Sequence, residues 1–119
     1  YLNGIPEGSR LTIPRYKAFV SKGFDENIVK ANKLAEVAKE IGATLPQFAI
    51  AWVAANTNVS TVILGATSVK QLDENLKALA FIDKITPEIR AKVDAIVQFQ
   101  PVVIPSAEPF VHQFREKFL

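Results

Sequence analysis

A glycine followed by hydroxyl and amide side chains marks the place in this 119-residue chain where the residue types can do chemistry. The apolar, β-rich residues 62–64 lead through Gly65 to Ser68, and Gln71 follows at the spacing of a capping box, which begins a helix. The free N–H groups and positive dipole end of such a helix attract an anion, and a glycine lets a ligand approach the backbone closely. Two interpretations stand: a phosphate site, or an ordinary strand–turn–helix.

The composition excludes several other classes of site. Fourteen basic and twelve acidic residues are interspersed and give a net charge of +2, so neither a nucleic-acid surface nor a membrane-binding basic face is indicated. With no cysteine and one histidine, His112, the sequence has no disulfide and no His-rich metal cluster, and we assign no metal ligands. No apolar run reaches membrane-spanning length and no charged-then-apolar leader opens the chain, so we expect a cytoplasmic protein without direct membrane insertion.

Other features are those of a piece of a longer protein. The chain has no methionine and begins at Tyr1 with a turn-rich stretch that resembles the middle of a loop. Its one clear strand is predicted over residues 59–64, and a single strand cannot satisfy its own backbone hydrogen-bonding groups. We therefore predict a fragment, with a self-sufficient helical module as the alternative.

Two helices are predicted before this strand. Apolar residues follow a helical spacing from Asp25, a predicted N-cap, to Gly42 at the C-terminal end. Thr44 and Gln47 then form a second capping box. The helix that follows, over residues 48–55, is apolar on every side, which predicts burial on more than one face.

Two more helices are predicted after the strand, over residues 68–79 and 86–97. Leu72, Leu76 and Leu79 lie on one face of the first at i, i+4 and i+7. The second begins with proline at its favoured first position. Both are predicted to pack against another part of the protein.

The last segment, residues 98–119, is rich in proline and phenylalanine. Phe110, Phe114 and Phe118 recur every four residues and need a partner surface. That surface is either the body of the same protein or a second copy or other partner.

Three segments together resemble the C-terminal part of the aldo-keto reductases: residues 4–10, 44–52 and 64–75. Their order and spacing also match, and the nearest branch resembles the voltage-gated potassium-channel β-subunits and their reductase relatives. The resemblance implies an α/β fold, the C-terminal part of a (β/α)8 TIM barrel that is locally mostly helical with one clear strand over residues 59–64. Residues 1–97 would be the barrel portion and residues 98–119 a tail without a counterpart.

The resemblance also implies an NADP(H) site. Gly65 and Thr67 match the place where the family binds the adenosine 2′-phosphate, and a loop arginine near the adenosine end corresponds to Arg10. The positions that contact adenine and its ribose correspond to Gln71, Glu74 and Asn75, which share one helix face. For each of these residues the alternative is a helix cap or a solvated face. The chain lacks the lysine and arginine with which many members bind the 2′-phosphate, so the preference for NADP over NAD stays open.

In this family the nicotinamide transfers a hydride to a carbonyl carbon while a tyrosine, tuned by a lysine and an aspartate, donates the proton. These groups lie in the earlier half of the barrel, and the resemblance gives no catalytic role to Tyr1, Tyr16 or His112. Two functions stay open. One is an NADP(H)-dependent reductase of small aldehydes or ketones, of which this chain is a C-terminal fragment. The other is a regulatory, cofactor-sensing β-subunit of a voltage-gated potassium channel, and the open partners are a second copy or the channel.

Overall fold

The computed structural model describes residues 1, 3–17, 23–100 and 116–117. The elements it defines there are helices: a 3-10 helix at Arg10–Thr12, α1 (Pro14–Lys17), α2 (Phe24–Glu40), α3 (Leu45–Ala54), α4 (Val69–Leu76), a second 3-10 helix at Lys77–Lys84, and α5 (Pro87–Val97). None of these helices is both long and apolar enough to cross a membrane. His112 and the predicted phenylalanine face at residues 110, 114 and 118 lie outside the described residues.

The predicted strand over residues 59–64 is wrong, and with it the α/β fold class with a barrel strand. Within the described ranges no residue has strand conformation, and Ile63, in the middle of the apolar run, is 93% exposed. A strand exists only where a neighbouring strand accepts and donates its backbone hydrogen bonds, and no described segment does so for this one. An apolar, β-rich run indicates a preference for strand but cannot supply that neighbour.

Helix α2 confirms the predicted helix but begins with a different cap. The N-cap is Gly23, with φ of 91°, and Asp25 lies in the first turn, where its carboxylate interacts favourably with the helix dipole. At the other end Gly42 has φ of 79°, a left-handed conformation that glycine adopts without strain. The N–H of Ala43 then donates to the carbonyl of Ala38 at 3.0 Å, which closes the helix in the way glycine-terminated helices do.

Helix α3 begins with the predicted capping box. The Thr44 N–H donates to Oε1 of Gln47 at 3.0 Å, and the Gln47 N–H donates to Oγ1 of Thr44 at 3.4 Å. Phe48 and Ala51 are buried, whereas Val53 on the opposite side is exposed. The helix therefore buries one broad face, and the predicted burial on more than one face is wrong for the described structure.

The core lies between α2, α3, α5 and the second 3-10 helix. Its buried members are Val37, Ala38, Ala43, Phe48, Ala51, Ile85, Ile89 and Val93. Helix α5 has the predicted start, because Oγ1 of Thr86 accepts from the Ile89 N–H at 3.3 Å and Pro87 occupies the first turn. Arg90 joins α5 to the end of α3: it donates to the Ala55 carbonyl at 3.0 Å and lies over the Trp52 ring, 5.2 Å from its centroid.

Helix α4 follows its predicted N-cap, Ser68, but its α-helical part ends at Leu76 and continues as the 3-10 helix. The predicted leucine face is not buried here. Leu72 and Leu76 are exposed, Leu79 is 66% exposed, and Ala78 is the buried residue of this stretch instead. The polar side of α4, described next, is hydrogen-bonded to α3.

A candidate ligand groove between two capped helices

The turn before α4 is held by side chains of the helix that follows it. The Ser68 hydroxyl accepts from the Gln71 N–H at 3.2 Å, as a helix N-cap does. In a complete capping box the Gln71 side chain would also accept from the backbone N–H of Ser68. Here Oε1 of Gln71 instead accepts from the Thr67 N–H at 2.8 Å and from the Thr67 hydroxyl at 3.1 Å. The predicted box is therefore only half formed, because Thr67 offers two donors to one amide oxygen.

Asn75 connects the next helical turn to the glycine. Its Nδ2 donates to the carbonyl oxygen of Gly65 at 3.3 Å, across ten residues of sequence. Gly65 itself borders open space, since a Cβ built there would meet no heavy atom within 4 Å. The backbone at Gly65 is accordingly fixed from the α4 side and open to a ligand on the other.

Glu74 is held by a different helix. Nε2 of Gln47 donates to both the carbonyl oxygen and the carboxylate Oε2 of Glu74, each at 3.2 Å. The other carboxylate oxygen, Oε1, accepts from Nζ of Lys77. That hydrogen bond, and then the negative charge of Glu74, raise the pKa of Lys77 above its ordinary 10.5, against a smaller opposing effect of burial.

These contacts border a groove of about 400 Å³ between the two capped helix ends. It is lined by Thr44, Pro46, Ser68, Lys70, Gln71, Glu74 and Asn75. The three side chains predicted to contact adenine are thus brought together, with Thr67 and Gly65 joined to them by hydrogen bonds. Arg10 is exposed in the first 3-10 helix and does not line the groove.

Sequence reasoning missed two features of this groove. The sequence indicated for Gln47 only a role in the cap of α3, because the spacing of neighbouring residues cannot predict a contact with a residue 27 positions away. Lys70 was not assigned at all, although its place between Ser68 and Gln71 in the first turn of α4 was a usable signal. It is the basic side chain among the residues that line the groove, and Glu74 is the acidic one.

The groove can bind a ligand that has an anionic group at one end and hydrogen-bonding groups at the other. Lys70 and the N-terminus of α4 provide positive charge, while the amides of Gln71 and Asn75 can donate and accept. The carboxylate of Glu74 keeps further lone pairs after its bonds to Gln47 and Lys77. Residues 5–98 of this chain match the model of the Aldo/keto reductase family.

The chain belongs to the aldo/keto reductase family. The resemblance given by the three sequence motifs is thereby confirmed, including its branch. One relative in Oryza sativa subsp. japonica, named "Probable voltage-gated potassium channel subunit beta", is 45% identical over 98 residues, which are 82% of this chain and 30% of that protein. A relative of the same name in Arabidopsis thaliana is 40% identical over 98 residues, again 82% of this chain and 30% of that protein.

This aldo/keto reductase chain therefore spans less than a third of the length of the relatives it matches. The matched residues 5–98 include the groove and every residue that borders it. Sequence similarity of this extent establishes the family, whereas the chemistry of the groove depends on the side chains that line it.

Proposed function

We propose that this chain holds the adenosine end of NADP(H) in an aldo/keto reductase of small aldehydes or ketones. The observation that supports the proposal is the polar face of α4. Gln71, Glu74 and Asn75 each have a different hydrogen-bond partner, and all three border one groove. A helix that only covers a core does not require three such polar side chains around one solvent-facing groove.

The residues at the turn fit a phosphate group. Gly65 leaves its backbone open, Thr67 has an N–H and a hydroxyl, and both precede the positive end of α4. Lys70 supplies a charge that this chain lacks at the positions where many family members have lysine and arginine. We therefore assign the 2′-phosphate to Gly65 and Thr67, with Lys70 as the nearby cation.

The other groove residues fit adenine and its ribose. The Glu74 carboxylate can accept from an amino group, and the Gln71 and Asn75 amides can donate and accept. Arg10 is retained as a residue for the adenosine end on the resemblance alone, because it does not line the groove. Bound NADPH supplies the hydride that reduces a carbonyl carbon; the residues of this chain bind and orient the far end of the molecule.

Variants in the groove test this assignment. Calorimetric titration with NADPH and with adenosine 2′,5′-bisphosphate should give saturable but weak binding, because only the adenosine half of a site is assigned here. Asn75→Ala, which removes the bond to the Gly65 carbonyl, should weaken both ligands about tenfold. Asn32→Ala, on the exposed side of α2, is the matched control and should leave both affinities unchanged. Equal affinities in the two variants would contradict the site.

An activity assay distinguishes cofactor binding by this chain from catalysis by it. No catalytic residue is assigned to this chain, so the pure 119-residue polypeptide should not oxidise NADPH when aldehydes are added. Aldehyde-dependent oxidation by material of verified mass would show that the chain itself has catalytic residues.

A second function is favoured by the names of the relatives. Both carry the name of a probable β-subunit of a voltage-gated potassium channel. The alternative is a cytoplasmic regulatory subunit in which the same cofactor site senses the redox state and influences a channel partner. Co-purification with a potassium channel, measured beside aldehyde turnover in a protein that contains this chain, distinguishes the two: a reductase gives turnover without the channel, and a regulatory subunit binds the channel.

A further inference from the structure

A buried amide joins the start of α3 to the end of α4. Gln47 is only 5% exposed, and all of its side-chain polar atoms are used. Oε1 accepts from the Thr44 N–H at 3.0 Å, while Nε2 donates to the carbonyl oxygen and the Oε2 of Glu74, each at 3.2 Å. A buried polar group left without partners is destabilising, so this set of bonds is held together.

The orientation of the amide is fixed by the types of its neighbours. If the Gln47 side chain were turned over, its oxygen would face two acceptors on Glu74 and its nitrogen would face the Thr44 donor. Only one orientation satisfies all three groups. Gln47 therefore presents its donor, and not its acceptor, to Glu74.

The hydrogen bond from Gln47 restrains the Glu74 carboxylate. Its side chain is 46% exposed, and a glutamate with that much freedom normally samples several rotamers. Here Oε2 is held by Gln47 from α3 and Oε1 by Lys77 from the same helix. The carboxylate is thus fixed in the groove before any ligand arrives, and its ordering does not have to be supplied by binding.

We infer that Gln47 is a positioning residue for ligand recognition, which holds Glu74 so that its carboxylate accepts a hydrogen bond from the 6-amino group of adenine. This inference rests on the proposed adenosine site. Gln47 would then have a second role besides capping α3, which is to favour adenine over a base that lacks the amino group.

The chain offers a variant that separates the two tasks. Gln47→Glu keeps an acceptor for the Thr44 N–H, and glutamate serves as well as glutamine at this position of a capping box. The same substitution removes the donor to Glu74 and places two carboxylates where an amide and a carboxylate met. Far-UV circular dichroism should therefore show the same helix content, while the position of Glu74 changes.

The readout is base preference, measured by titration with NADPH and with its hypoxanthine analogue, which has no 6-amino group. In the unaltered chain NADPH should bind more tightly than the analogue. Gln47→Glu should weaken NADPH about 3- to 10-fold and leave the analogue within about twofold. Glu74→Ala, the reference, should remove the preference entirely. The exchange variant Gln47→Glu/Glu74→Gln restores a donor–acceptor pair and should recover part of the preference.

The outcomes separate this inference from the site on which it rests. If Glu74→Ala abolishes the preference and Gln47→Glu does not alter it, the adenosine site stands and the positioning role of Gln47 is overturned. Equal weakening of both ligands by Gln47→Glu also overturns it, because that is the result of a purely structural role. If neither ligand binds the unaltered chain, the proposed function fails, and the inference fails with it.

Discussion

The side-chain oxygen of Gln71 accepts hydrogen bonds from both the N–H and the hydroxyl of Thr67, at 2.8 and 3.1 Å. Those two donors are the ones that the proposed site offers to a phosphate. Gln71 and a phosphate oxygen therefore compete for the same groups, and the amide must move when an anion binds to Thr67. The competition can be measured, because phosphate and adenine ligands respond differently to its removal.

Removal of the Gln71 side chain should improve the binding of a bare anion. In Gln71→Ala the two Thr67 donors are free, and a hydrogen bond of this kind contributes about 1 kcal/mol. We expect inorganic phosphate to bind about two- to fivefold more tightly than to the unaltered chain, by amide chemical-shift titration. Adenosine 2′,5′-bisphosphate should gain less or lose affinity, since the adenine contact disappears too. An unchanged phosphate affinity would show that Gln71 does not compete at Thr67.

Lys70 should discriminate between ligands with and without the 2′-phosphate. Lys70→Gln removes the basic side chain that lines the groove and should weaken adenosine 2′,5′-bisphosphate about 3- to 10-fold at low salt, with less effect at high salt. Binding of adenosine 5′-phosphate should change less. Lys33→Gln on the exposed side of α2 alters the net charge equally and should have no effect. The same loss in both variants would point to overall charge alone.

The ion pair between Lys77 and Glu74 should be visible in a titration. Glu74→Gln removes the charge and much of the hydrogen bond that raise the pKa of Lys77, so that pKa should fall toward its ordinary 10.5. Lys92, whose pKa is raised first by its hydrogen bond to Glu40 and then by that to Glu88, is the internal control. NMR titration of the lysine side chains should show Lys92 unchanged in Glu74→Gln, whereas Glu40→Gln should lower the pKa of Lys92 alone.

The direction of the pH effect follows from these raised values. A lysine with a higher pKa in the folded state than in the unfolded state stabilises the fold below the unfolded value, and this contribution is lost as the pH rises through the folded value. The Lys77 and Lys92 pairs should therefore contribute at neutral pH, and this contribution should be lost as the pH rises from 10.5 through their higher folded pKa values. A stability that is the same in Glu74→Gln and the unaltered chain at both neutral and high pH would show that the pair contributes nothing.

Stability should depend on the helical core and not on the run first predicted to be a strand. Phe48→Ala removes a buried ring and should lower the free energy of unfolding by about 3–5 kcal/mol. Ile63→Ala changes a side chain that is 93% exposed and should cost less than about 0.5 kcal/mol. Urea denaturation followed by circular dichroism measures both. A large loss in Ile63→Ala would mean that the Ile63 side chain packs against other parts of the chain in solution.

Most local interactions were predictable from the sequence, and non-local ones were not. The N-caps Thr44 and Ser68 and the proline at the start of α5 were predicted at the right residues, because a cap involves groups within one helical turn. The N-cap of α2 was predicted at Asp25 and is Gly23, two residues earlier. The strand over residues 59–64 failed because pairing depends on a segment elsewhere. The leucine face of α4 had the right spacing, yet spacing does not tell which surface, if any, covers it.

The candidate site shows the same division. Gln71, Glu74 and Asn75 could be placed on one helix face from their spacing, and the groove contains all three. The bond from Gln47 to Glu74 spans 27 residues and could not be predicted from either segment alone. The capping box predicted that the Gln71 side chain bonds to Ser68, whereas it bonds to Thr67, one residue earlier. The two residues are neighbours in sequence, and only the geometry of the turn decides between them.

The most direct test of the adenosine site is an amide chemical-shift map of the 119-residue chain titrated with adenosine 2′,5′-bisphosphate. The proposed site predicts saturable shifts that cluster at residues 65–75 and 44–47, with Thr67 and Glu74 among the largest. Shifts that cluster elsewhere, or no saturable shifts at millimolar ligand, would contradict it.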